Sequence, residues 1–159
     1  MTSADITVGA ALPPLQISIS AAHVVGGAIT SRDWQPQHHD HARAIAMKLP
    51  DIILSTPSQL GLFCRFATGW SGPAGRIGRS ELKMRRPVCP GDQIEIGGLV
   101  ERVRLDASGW HWVLIALQMM RAEEMASTCR LWMAMPGDGG HAPWQAAADA
   151  WYPPEWPID

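Results

Sequence analysis

Apolar residues recur with two different periods along this chain, and the change of period divides it. Leu15, Ile17 and Ile19 alternate with Gln16, Ser18 and Ser20, the spacing of a half-buried strand. Residues 23–30 (HVVGGAIT) read equally as a second strand or as a short helical entry. Residues 33–40 are polar and turn-rich, and Asp40 stands where an N-cap belongs for a short helix from His41 to Lys48. Lys48 near its end suits the helix dipole. Thr56-Pro57 is then expected to open a long helix, with Thr56 as cap and Pro57 at the first helical position. From Ser58 to Trp70 the only charge is Arg65. Leu60, Phe63, Ala67 and Trp70 share one face, and Leu62 with Phe66 fills the next. A helix apolar around most of its circumference is expected to be surrounded by protein, and Arg65 on it to need a structural partner. Gly61 costs such a helix about 1 kcal/mol relative to Ala. Close approach of another backbone is the expected reason to keep it.

From Arg76 the period becomes two. Leu82 and Met84 alternate with charged neighbours, and Pro90-Gly91 supplies the centre of a type II turn. Ile94 and Ile96 begin the next strand, which Val100 to Val103 continues. Residues 106–109 (DASG) make a hairpin. Trp110 to Met120 is apolar on both faces, as a central strand is. Glu123-Glu124 turns the chain into a last strand, Thr128 to Met135. One long apolar helix followed by antiparallel strands predicts an α+β domain, a single sheet wrapped around the helix. Residues 1–14 read as a lead-in, 15–135 as the domain, and 136–159, with five Pro and three Trp, as a tail whose aromatics dock on a surface of this chain or a partner.

Composition narrows the classes. A chain of 159 residues buries a core without crosslinks. Thirteen basic against fifteen acidic side chains, net −2, recommend neither nucleic acid nor an acidic membrane as partner. Cys64, Cys89 and Cys129 are scattered, the pattern of reduced thiols, and no stretch reaches the ~18 apolar residues of a membrane span. A cytoplasmic location is expected.

Two motifs bring in chemistry. Residues 33–40 read Asp33-Trp34-Gln35-Pro36-Gln37-His38-His39-Asp40, and residues 87–92 read Pro87-Val88-Cys89-Pro90-Gly91-Asp92. Together, with the apolar helix between them, they resemble the MaoC-like hydratase/dehydratases, whose signature runs Asp-x-Asn-Pro-x-His-x-Asp; Gln35 replaces the usual Asn and Gln37 an aliphatic residue. The resemblance spans residues 25–135. The run from Arg32 to Asp40, with Leu60-Gly61-Leu62, Arg65-Phe66 and Trp70-Ser71-Gly72-Pro73, is most similar to the small subunits of two-component steroid side-chain enoyl-CoA hydratases. That resemblance implies a hotdog fold and a homodimer, or a heteromer with a second hotdog chain. It also implies hydration of trans-2-enoyl-CoA to the (R)-3-hydroxyacyl thioester, or the reverse dehydration, with no cofactor beyond the coenzyme A thioester substrate.

The residues allow that chemistry. Asp33 is placed to hold and deprotonate a water, and His38 to hold the same water and relay its proton to C2. The enolate oxygen belongs at the helix N-terminus, where backbone N–H groups favour negative charge. Pro57 has no N–H, so Thr56 or Ser58 is the expected donor. Arg76, Arg79, Lys83, Arg85 and Arg86 form a basic cluster that could neutralise coenzyme A phosphates; a solvated strand face is the plainer alternative. An Asp before a Pro turn is ordinarily an Asx-type turn residue. No metal is expected, because adjacent histidines in an extended turn point apart and no spaced His or Cys completes a ligand set. His39 and His41 read as solvated, and His23, His111 and His141 have no evident partner. Ser71 and the cysteines lack a base for nucleophilic catalysis, and Trp110 and Trp112 read as packing. An acyl-CoA thioesterase of the same fold, or a non-catalytic assembly subunit whose tail clasps a larger protein, are the competing functions.

Overall fold

The computed structural model describes residues 6–137 and 142–153. Five strands form one antiparallel sheet: β1 (Ala11–Ser18), β2 (Arg76–Met84), β3 (Gln93–Leu105), β4 (Trp110–Arg121) and β5 (Glu124–Pro136), in spatial order β1-β3-β4-β5-β2. Helices α1 (Ala21–Ser31) and α2 (His41–Ala46) precede the long α3 (Thr56–Ser71). The antiparallel sheet wrapped around one long helix is therefore the architecture observed.

Period two decides which face of each strand meets α3. Val113, Ile115, Leu117 and Met119 of β4 join Leu131 and Met133 of β5 and Phe63, Phe66 and Ala67 of α3 in one core. The opposite face of β4 and β5 carries Trp110, Trp112, Leu114 and Trp132, a second cluster covered by Trp151 from the tail. Strand β4 is apolar on both faces because both are covered. The Trp151 ring lies 5.0 Å from that of Trp112 and 5.9 Å from that of Trp110. The described tail docks on its own chain. Trp156 and His141 lie outside the described residues.

Several local expectations need correction. Strand β1 begins at Ala11, inside the segment read as a lead-in. Pro13-Pro14 is accommodated where the register against β3 shifts between Leu12 and Leu15, on an edge strand that tolerates missing N–H donors. Residues 23–30 are helical because Ser20 and His23 form a reciprocal capping pair: the His23 N–H donates to Ser20 Oγ and the Ser20 N–H to His23 Nδ1. His23 thus has a partner that its sequence neighbours did not reveal. The cap of α3 is Ser55, one residue before Thr56, and its Oγ accepts from the Ser58 N–H at 3.3 Å. Asp40 caps α2 through the Arg43 N–H, as expected.

Helix α3 is not surrounded. Gln59, Phe63, Phe66, Ala67 and Ser71 are buried, whereas Gly61, Arg65, Thr68 and Gly69 are exposed. One sheet covers only one side of a helix, and α1 shields just part of the rest. Arg65 accordingly has no partner among the described residues. A Cβ on Gly61 would meet nothing within 4 Å, so no other backbone among the described residues approaches there. The close approach is at Gly27 of α1, where a Cβ would lie 2.2 Å from Ser58 Oγ.

Turns follow their residues. Gly91 takes φ +93° and the Asp92 N–H donates to the Cys89 carbonyl, closing the expected tight turn. Asp106 holds the β3–β4 hairpin through the N–H groups of Ser108 and Trp110 and the Trp112 indole.

Gly61→Ala is expected to stabilise the fold by about 0.5–1 kcal/mol, since the methyl meets nothing and Ala is the better helix former. A higher urea midpoint at unchanged slope is the readout. Trp151→Ala is expected to cost about 1–3 kcal/mol through the lost ring contacts and the cation seated on them. An unchanged Tm would mean the tail contributes nothing to the fold.

Candidate active site

The Asp33 turn leaves α1 through Arg32, whose left-handed φ of 56° ends the helix, and the Asp33 N–H donates back to the Ala28 carbonyl. Pro36 then starts a single 3-10 turn, Pro36–His38. That geometry brings Asp33 Oδ2 to 3.4 Å from His38 Nε2. His38 is buried, and its other ring nitrogen, Nδ1, lies 2.6 Å from the Ile53 carbonyl. A carbonyl oxygen only accepts, so Nδ1 carries a hydrogen, and in the neutral form of the ring Nε2 then presents a lone pair towards the carboxylate. The Ile53 N–H in turn donates to the Gln37 carbonyl. The turn is stitched in both directions to the segment that enters α3.

Asp33 also behaves as the plainer reading predicts. Its Oδ1 accepts from the Gln35 N–H at 3.4 Å, an Asx-type contact. One carboxylate oxygen shapes the turn while the other faces the imidazole. In that neutral form the carboxylate and the imidazole lone pair are both acceptors and cannot hydrogen-bond each other. A molecule with two O–H donors, such as water, satisfies both.

At the mouth of α3 the donors differ from expectation. Ser58 was a candidate oxyanion donor, but its N–H is engaged by Ser55 Oγ. Thr56 remains, exposed, with no acceptor for its N–H among the described residues. The sequence hid this because Pro57 is tolerated at either of the first two helical positions. The missed residues are Ser55, the actual cap, and Ile53, whose carbonyl orients His38. A Ser three residues before Ser58 was the available signal for the first. Gln59, fully buried one turn in, donates to the Leu54 carbonyl and backs the same strand of chain.

The basic cluster splits. Strand register puts Arg76 opposite Ala134, Arg79 opposite Trp132 and Lys83 opposite Thr128, on the sheet face turned away from α3. Arg76 lies 3.8 Å over the Trp151 ring and donates to the Pro143 carbonyl; Arg79 pairs with Glu81 at 2.7 Å. These three lie on the face away from Asp33 and His38, and the structure does not bring them together with that pair. Arg85 and Arg86, exposed beyond the end of β2, stand next to Met84, whose sulfur accepts from Thr56 Oγ1. They remain at the edge of the site.

His41, read as solvated, is bonded to Asp51 at 2.9 Å, a contact that lowers the Asp51 carboxyl below its ordinary value. Among the described residues no group of three His, Cys, Asp or Glu is placed to hold a metal ion. Burial raises the thiols of Cys64, Cys89 and Cys129, the last to about 12, which leaves them protonated and poor nucleophiles at neutral pH. No helix among the described residues is long and apolar enough to cross a membrane.

An apolar groove of about 330 Å³ runs beside α3, between it, α1 and β1. Leu54, Pro57 and Ser58 at the helix mouth and Ser31 just before the catalytic turn belong to its lining; Asp33 and His38 themselves do not.

No family model matches the chain. Among curated proteins it is 33% identical, over 96 residues, to the beta subunit of 3-oxo-4,17-pregnadiene-20-carboxyl-CoA hydratase from Mycobacterium tuberculosis (strain ATCC 25618 / H37Rv). The match covers 60% of this chain and 74% of that one. Among solved structures it is similar to the ChsH1-ChsH2 complex from Mycobacterium tuberculosis, with TM-score 0.76 and 28% identity over 81% of this chain and 98% of that one. It shares the fold of the (R)-hydratase from A. caviae involved in PHA biosynthesis, with TM-score 0.74 and 22% identity over 83% and 98% of the two chains. A one-in-three identity across most of a hydratase subunit, on the same sheet-around-helix architecture, leads to one conclusion: the chain belongs to the MaoC-like hydratase/dehydratase family of hotdog-fold enzymes.

Proposed function

We propose that this enzyme adds water across the double bond of a trans-2-enoyl-CoA to form the (R)-3-hydroxyacyl-CoA, and runs the reverse dehydration, with Asp33 and His38 as its catalytic pair. The observation that carries this reading is the 3.4 Å approach of Asp33 Oδ2 to a His38 Nε2 whose lone pair is fixed by the Nδ1–Ile53 bond. A water held by both acceptors has its oxygen free to attack C3. As that oxygen bonds to C3, one of the water's protons passes to the Asp33/His38 pair, the other stays on the new hydroxyl, and the C2=C3 electrons move onto the thioester oxygen as an enolate. The pair then returns a proton to C2, the enolate electrons form the new C–H bond, and the site is restored. The Thr56 N–H at the positive end of α3 is the donor for the enolate oxygen. Arg85 and Arg86, at the edge of the site, are the candidates for coenzyme A phosphates.

The acyl group and the partner are read from the relatives and from the surface around the site. The relative's substrate is a steroid-type acyl-CoA, and it is a beta subunit; the similar solved structure is a two-chain complex. Around the catalytic turn Ile29, Trp34, Ile45 and Met47 are exposed, an apolar rim that a second hotdog chain would cover. The reading is therefore of a bulky acyl-CoA substrate and a partner hotdog subunit, either a second copy or a homologue. A thioesterase has no use for an imidazole paired with the carboxylate in this way, and no observation favours it.

Asp33→Asn and His38→Ala are each expected to lower kcat for trans-2-enoyl-CoA hydration by about 10²–10⁴ with an unchanged circular dichroism spectrum; Asp33→Asn keeps the parent's melting curve, whereas His38→Ala lowers Tm through the lost bond to the Ile53 carbonyl. Turnover equal to the parent's in either variant rejects the pair. The chain drawn from its own cells is expected to bring down a second hotdog chain or a second copy of itself. A strictly monomeric protein with full hydratase activity contradicts the subunit reading.

A further inference from the structure

An added Cβ would meet nothing within 4 Å at three helical glycines, Gly26, Gly61 and Gly69, and of these Gly61 is the one that lines the groove beside α3. Gly27 on α1 has its reason, since any Cβ there would strike Ser58 Oγ. Gly61 has none within the chain: it sits mid-helix, exposed, with nothing within 4 Å of an added Cβ, and it lines the groove. Alanine there would make a better helix.

The remaining lining says what the space suits. Ile17, Ile19, Leu54 and Leu62 make apolar walls around about 330 Å³, within the roughly 300–1,000 Å³ of ligand pockets. One end opens at the mouth of α3, at Leu54, Pro57 and Ser58; Leu54 directly follows Ile53, whose carbonyl holds His38. The α1 wall ends at Ser31, two residues before Asp33. An acyl chain whose thioester lies at the helix mouth therefore enters the groove past the catalytic turn.

We infer that Gly61 is a specificity-determining residue: its missing side chain keeps the groove wide enough for a branched or ring-bearing acyl group, which a larger residue would exclude. This rests on the hydratase reading of the site. Gly61 touches the acyl tail rather than the reacting atoms, so its substitution changes which substrates fit and leaves the proton chemistry alone. A Cβ there meets only open space, so a larger side chain enters the groove without displacing the helix.

The test compares the parent and Gly61→Leu, each purified with whatever chain accompanies it, on trans-2-butenoyl-CoA and on a 2-enoyl-CoA carrying fused rings. The expected result is butenoyl-CoA hydration within about threefold of the parent and a loss of about 10- to 200-fold in kcat/KM for the ring-bearing substrate, the range that misfit in an apolar pocket produces. Light scattering after gel filtration reports whether the assembly is intact. An unchanged substrate ratio, or an equal loss on both substrates, overturns the inference. An assembly that falls apart on Gly61→Leu also overturns it, because Gly61 then serves contact with a partner backbone. If the parent hydrates neither substrate, the hydratase reading itself fails, and that outcome is visible before any variant is made.

Discussion

The site depends on one hydrogen bond, from His38 Nδ1 to the Ile53 carbonyl at 2.6 Å. It joins a turn that follows α1 to the segment that feeds α3, and so sets the position of the His38 imidazole relative to the helix mouth. It also selects the tautomer of the neutral ring. With a hydrogen held at Nδ1, Nε2 of that tautomer is an acceptor beside the Asp33 carboxylate, an arrangement suited to a water that donates to both. Removing the carbonyl's role would leave the same residues at the same spacing with no defined division between donor and acceptor. The return bond, from the Ile53 N–H to the Gln37 carbonyl, makes the arrangement stiff.

The sheet supplies the frame through a difference between its faces. Its inner face holds α3 on Leu131, Met133 and their neighbours, and the α3 N-terminus is carried to the catalytic turn as a consequence. Its outer face, which in an isolated domain would leave Trp112 and Trp132 to solvent, is capped by the tail through Trp151, with Arg76 stacked on that ring. The tail is thus part of the packing, and a basic side chain that looked suited to phosphate serves it. What stays uncovered within one chain is the side of α3 bearing Gly61 and Arg65, together with the exposed apolar residues around Asp33. One sheet and α1 together cover only part of the circumference of the central helix.

Period and turn chemistry made much of this legible in advance. Strands β3 to β5, the Pro90-Gly91 turn and the Asp106 hairpin follow from local residues, because side-chain alternation and positive φ are local properties. Asp33 and His38 were legible because a Pro between them restricts the turn and a second motif accompanies it. Errors arose where two solutions were locally equal. Pro57 is tolerated at the first or second helical position, so the cap was placed at Thr56 when Ser55 occupies it. His23 is an unusual member of a capping pair, so α1 was undecided. The register shift between Ile77 and Arg79 decides which face Arg76 takes, and such a shift leaves no mark in composition.

The sequence by itself determined the class of the molecule: a long apolar helix, a set of hairpin-linked strands, and an acid and a base on one turn. Only the tertiary structure decided what those parts face. Which carbonyl holds His38, which basic residues lie across the sheet from the site and what the tail covers are all relations between residues far apart in the chain. Local preference restricts each residue's own backbone; the partner across space is chosen by packing, and packing is a property of the whole fold.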